Sequence, residues 1–137
     1  MSLVFACIAP HGDMDLDPSL RAAMEELGRH IASNKLLQAK RVALVASADH
    51  GHAHYPDGPY GFDPAAAAYD ARLQEILASE RLDFLPLAEL VEPAKADSLW
   101  QLLVLQGAVG ESARADVLAY AAPTYYGMLV AEVQTAA

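Results

Sequence analysis

Arg41-Val-Ala-Leu-Val-Ala-Ser-Ala-Asp-His-Gly-His-Ala-His54 is the stretch on which the reading of this chain turns. Its first half, Arg41 to Ser47, is almost wholly apolar, as expected of a strand buried on both faces, and its second half changes abruptly to polar loop chemistry. Leu3-Val-Phe-Ala-Cys-Ile-Ala9 has the same character, an apolar run stopped by Pro10, His11 and Gly12. Between them lies a helix pattern. Asp17-Pro18 supplies a cap and a preorganised first turn, and Leu20, Ala23, Met24, Leu27 and Ile31 recur at three- and four-residue steps. Strand, helix, strand with both strands apolar describes a crossover unit and a parallel pair. The expected fold class is α/β, a compact three-layer α/β/α core with a mainly parallel or mixed sheet. In such a sheet His11 and the histidine cluster both follow the carboxyl ends of their strands, where open α/β sheets place a ligand crevice.

Downstream, Tyr55 to Pro64 holds three prolines and two glycines and reads as an ordered loop. Asp63-Pro64 opens a helix through about Ser79, with Ala67, Leu73, Ile76 and Leu77 as apolar contacts. A further helix is expected from Asp97 or Ser98 to Gly107, whose missing side chain suits a helix end. Val117 to Val133 reads as two short strands around Pro123-Thr-Tyr-Tyr-Gly127. No repeat or linker divides the chain, so residues 1–137 are read as one domain.

The composition narrows the function. Nine Lys and Arg against 18 Asp and Glu give a net charge of −9, a field that repels phosphate backbones and anionic lipid heads. Neither nucleic acid nor a membrane surface is an expected partner. With 54% hydrophobic residues there is ample material for a core. The longest apolar stretch, Leu99 to Val109, is interrupted by Gln101 and Gln106 and falls short of a membrane span. A single cysteine, Cys7, fits a reducing compartment, and a cytoplasmic location is expected.

The chemistry is concentrated in histidine. His50, His52 and His54 alternate, so an extended loop would turn all three rings to one side. Neutral imidazole both ligates iron or zinc and transfers protons near neutral pH. His11 alone could be a turn residue, and His30 near a helix end suits the free carbonyls there. Among the carboxylates, Asp13, Asp15 and Asp17 follow His11, Asp49 adjoins the cluster, and Asp97 is either a helix cap or a crevice residue. Tyr120, Tyr125 and Tyr126 could supply an aromatic wall or simply pack the core.

Taken in order, Ile8-Ala-Pro-His-Gly12, the Arg41–His54 stretch, Asp57-Gly-Pro-Tyr-Gly-Phe-Asp-Pro64, Asp97-Ser-Leu-Trp-Gln101 and Pro123-Thr-Tyr-Tyr-Gly-Met128 resemble the catalytic subunit of class III extradiol ring-cleavage dioxygenases, the protocatechuate 4,5-dioxygenase beta-subunit type. The resemblance implies a mononuclear non-haem Fe(II) held by two histidines and a carboxylate, with a catecholic aromatic diol and dioxygen as co-substrates. It matches His11 to the first iron ligand and His52 to the acid/base histidine, and makes Asp97 the positional candidate for the carboxylate. Members of the family are longer, with a second Pro-His-Gly block before the Arg41 strand. Here Ala32 to Lys40 leads almost directly from helix to strand, and that second histidine has no counterpart.

Three readings follow. In the first, a reduced dioxygenase-like metalloprotein, His50, His54 or a residue of a second subunit replaces the missing ligand. In the second, the chain is a noncatalytic binding or assembly homologue. The third is a hydrolase with Zn(II) on the His-Gly-His-Ala-His cluster. A shortened fold that has lost cover over apolar faces is also expected to form a homodimer.

Overall fold

A computed structural model describes residues 18–135 of the chain. The expected strand Leu3–Ala9, together with Cys7, His11 and Asp17, lies outside the described residues.

Helix α1 (Pro18–Ser33) begins at the proline, as its sequence dictates, and a short helix α2 (Lys35–Gln38) follows, capped by Asn34, whose side chain accepts from the amides of Leu36 and Leu37. Helix α3 (Pro64–Ala78) is capped by Asp63, which accepts from the Ala65 amide at 2.8 Å, a bond worth about 1 kcal/mol. A 3-10 turn at Leu85–Leu87 leads into α4 (Ala88–Ala94), and α5 (Leu99–Val109) comes next. Strands β1 (Arg114–Ala121) and β2 (Met128–Gln134) pair antiparallel, Arg114 opposite Gln134 and Ala121 opposite Met128, with an irregularity between Val117 and Ala119. The expected pair of strands around Pro123–Gly127 is thus present.

The core gathers Tyr69 and Leu73 of α3, Leu82, Phe84 and Leu87 around the 3-10 turn, and Leu99 and Leu103 of α5. Burying each of these large side chains stabilises the fold by roughly 1.5–3 kcal/mol. Gln106 serves this core by an unusual route. Its side chain, on α5, accepts from the buried Phe84 amide at 2.8 Å and donates to Glu25 of α1 at 3.2 Å.

Helix α5 runs past Gly107, the expected end, and stops at Gly110, which holds a positive φ of 80°. Gly107 has another job: a Cβ there would lie 2.0 Å from the Glu25 carbonyl oxygen, and one on Gly28 would lie 2.1 Å from that of Val104. The two glycines let the α1 and α5 backbones touch.

Overall the described chain is mixed α/β, with one two-stranded antiparallel sheet among the described residues. Arg41–Ser47 differs from its expected form. It runs without regular structure, and among the described residues its backbone makes no hydrogen bond. Its residues are exposed or half-buried rather than buried on both faces, and a strand needs a bonded neighbour, which the described residues do not give it. No helix among the described residues is long and apolar enough to cross a membrane.

Candidate functional site

The histidine loop is fastened on two sides. His50 and His54 donate their amides to the carbonyls of Gly127 and Tyr125 at 3.1 Å each, and Gly127 returns a bond to Gly51 at 2.9 Å. The His52 amide instead goes to Ala94 at the end of α4, at 2.8 Å. Gly51 lies so close to α3 that a Cβ would come within 2.7 Å of the Ala66 carbonyl oxygen. An isolated bridge between His54 and Phe62 closes the Tyr55–Gly61 loop, which is ordered as expected.

The three rings do not share one environment. This departs from the one-sided arrangement a flat extended loop would give, because the loop bonds alternately to the tail turn and to α4. His50 is buried, and its Nδ1 lies 3.0 Å from the Ser98 hydroxyl, which also meets the Tyr69 hydroxyl at 2.9 Å. Burial lowers the pKa of His50, against the opposing pull of the Asp70 and Asp49 charges, and favours the neutral ring. Burial likewise pushes the Tyr69 phenol upward, so it remains protonated.

His52 donates from Nδ1 to the Lys95 carbonyl at 2.6 Å, which leaves Nε2 as the lone-pair nitrogen. Nε2 stands 3.7 Å from the Asp49 carboxylate. The ring stacks on Tyr60 at a centroid distance of 5.4 Å and an interplanar angle of 19°, and Tyr125 and Tyr126 each approach to 6.1 Å. His52 is therefore an imidazole of fixed tautomer set in an aromatic wall beside a carboxylate. His54 bonds through Nε2 to Asp70 at 2.8 Å.

Asp97 caps nothing. The side chain of Ser98 does not cap α5 either, since its hydroxyl serves His50 and Tyr69. The Asp97 carboxyl loses part of its water to the surrounding chain and faces Asp49, which together raise its pKa, while His52 acts in the opposite sense and the Asp49 amide donates to it. His30, expected to meet the free carbonyls of the helix end, instead bonds back to the Glu26 carbonyl within α1 at 2.9 Å, on an exposed face.

The iron implied by the sequence needs three converging side chains. Among the described residues, no group of three or more His, Cys, Asp or Glu side chains is placed to hold a metal ion. His50 directs Nδ1 to Ser98 and Asp97 faces Asp49 and His52, while His11 lies outside the described residues. The described side chains do not by themselves fit an iron centre, and the same holds for zinc on the histidine cluster.

A groove of about 1260 Å³ opens beside His50, not His52. It is bounded by Val42 and Leu44, by Leu73 and Leu77 of α3, by Leu102 of α5 and by Leu129 of β2. No protein-family model and no curated protein matches the chain.

The sequence assigns no site role to Asp70 or Tyr60, and marks Ser98 only as a possible helix start. Asp70 carried a readable signal, an acidic residue on the α3 stripe formed by Ala66, Tyr69, Leu73 and Leu77. The Lys95 carbonyl carried none, because a backbone oxygen has no sequence signature.

Proposed function

We propose that this chain is a reduced dioxygenase-like protein that binds a small aromatic diol against the His52 wall and uses Nε2 of His52 to take a proton from a ring hydroxyl. The observation that carries the reading is the His52 tautomer: the Lys95 carbonyl accepts from Nδ1, so the free lone pair lies on the opposite edge of a ring flanked by Tyr60, Tyr125 and Tyr126. Aromatic side chains offer offset-stacked and edge contacts to a planar ring, and an imidazole in reach of a phenolic hydroxyl is a competent general base. Fe(II), where bound, would bring diol and dioxygen together. The described side chains would supply the ring-binding and proton-transfer part of such a site.

The finer architecture belongs to the same proposal. Leu3–Ala9 would pair in parallel with Arg41–Ser47 and complete a three-layer α/β/α core in the cytoplasm. What supports this is the apolar run at Val42–Ala46, without backbone partners among the described residues and bordering the apolar groove. An exposed apolar run with unpaired backbone groups is suited to pairing with a further strand.

Anaerobic Fe(II) titration followed by oxygen uptake with catechols tests the reading, with oxygen consumption that His52→Gln lowers by about 100-fold or more as the expected result. A second reading, a noncatalytic binding homologue, is favoured by the failure of three ligands to converge among the described residues. Diol binding without iron uptake or oxygen consumption would select it.

A further inference from the structure

Asp70 is 1% exposed, and three hydrogen-bond donors, two from the histidine loop and one from β1, converge on its carboxylate. Oδ1 accepts the Gly51 amide at 2.8 Å; Oδ2 accepts the Tyr120 hydroxyl at 2.7 Å and faces Nε2 of His54 at 2.8 Å. Gly127 closes the remaining side, where a Cβ would come within 1.8 Å of Oδ2. A group so deeply buried is costly to leave without partners, and here it joins α3, the histidine loop, β1 and the tail turn at one point.

We propose that Asp70 is a positioning residue that fixes the tautomer of His54 and, through Gly51 and His54, the register that presents His52 to Lys95. A carboxylate oxygen that already accepts from Tyr120 takes a second donor, so His54 carries its hydrogen on Nε2 and its lone pair on Nδ1. His52 carries the opposite arrangement, set by the Lys95 carbonyl. Gly51 and His54 flank His52 in the chain, and both are held by the same carboxylate, so the segment between them has little freedom to turn. Carboxylate orientation of an imidazole in this way is a general device for setting which nitrogen reacts. The inference rests on the proposed function only in naming His52 as the proton-transferring ring.

Asp70→Asn is the informative change because it keeps the shape and the Oδ1 acceptor for Gly51, while replacing Oδ2 with an amide that donates. Nε2 of His54 must then accept, and the hydrogen moves to Nδ1. Long-range nitrogen–proton NMR of histidine-labelled protein reads both rings directly. In the wild type we expect His54 with hydrogen on Nε2 and His52 with hydrogen on Nδ1. In Asp70→Asn we expect the His54 assignment to invert and the His52 Nδ1 hydrogen to exchange with solvent at least about tenfold faster. Tyr120→Phe removes one donor and should leave both tautomers in place.

Wild-type His54 with its hydrogen on Nδ1 would overturn the proposal even if Asp70→Asn does not fold. So would an Asp70→Asn protein in which His54 does not invert, or one in which it inverts with no change at His52. None of these readouts involves a diol, so failure of this inference and failure of the ring-binding reading are distinguishable.

Discussion

The Lys95 carbonyl oxygen lies 2.6 Å from Nδ1 of His52, and Lys95 reaches that position in the left-handed region, at φ 53°. A side-chain-bearing residue there is strained by about 1–2 kcal/mol, and its backbone closes α4 through bonds to Glu92 and Val91. Lys95→Gly should keep the His52 bond and raise stability by up to about 1 kcal/mol. Lys95→Pro, which fixes φ near about −65° and removes an amide, should lower stability by about 2 kcal/mol or more. Urea denaturation midpoints check both, and a glycine variant less stable than the wild type would count against the strain.

Gly107→Ala places a methyl against the Glu25 backbone of α1, with 2.0 Å available. Backbone cannot step aside as a flexible side chain does, so α1 and α5 must separate, at a cost of about 2–4 kcal/mol. Gly61→Ala is the useful contrast. Its Cβ would meet open space and only the positive φ of 70° opposes it, so about 1 kcal/mol is expected. Thermal unfolding should rank the two in that order.

Burial lowers the pKa of His50 below the ordinary histidine value of 6.5, which favours the neutral ring in the folded chain. As pH falls through the unfolded value the unfolded chain binds the proton first, and stability declines until the lower folded pKa is passed; above the unfolded value the contribution is full and flat. Compared with His50→Gln, the wild type should therefore lose more stability on acidification from about pH 7.5 to about pH 5. Chemical denaturation of both proteins across that range measures the difference, and parallel curves would contradict it.

The described surface exposes Leu118 at 64% and Val130 at 59%, and Val45 at 49% lies on the run that borders the groove. Apolar surface of this kind is a common basis of two-fold association. Sedimentation equilibrium at micromolar concentration should give the mass of two chains, and Val130→Glu should shift it toward one. A single-chain mass over the whole range would count against the dimer.

Legibility followed the distance over which a signal acts. Pro18 and Asp63-Pro64 announced their helices because caps and first-turn prolines act locally. Gly107 misled, since a glycine serves equally as a helix stop and as a close contact between helices, and only the position of α1 distinguishes the two uses. The neighbourhood of His52 was marked by residue type, yet its tautomer depends on a backbone oxygen of Lys95, 43 residues away. Asp97 reads as a cap or a crevice residue and Ser98 as a possible helix start, but the position before α5 places Ser98 against His50 and Tyr69, which offer its hydroxyl buried partners. The sheet was the least legible element. Arg41–Ser47 has strand composition without strand bonding among the described residues, whereas β1 and β2 supply each other's ladder.

The most direct measurement of the proton-transfer role of His52 is the absorption spectrum of bound 4-nitrocatechol, whose colour reports the ionisation of its ring hydroxyls. The ligand is titrated anaerobically into the protein, with and without Fe(II), at a pH below its free ionisation. With Nε2 of His52 as the acceptor, the wild type should bind the ligand and shift it to its anionic spectrum, and His52→Gln should bind it without that shift. Identical spectra in the two proteins, or no binding by the wild type under either condition, would contradict the assignment.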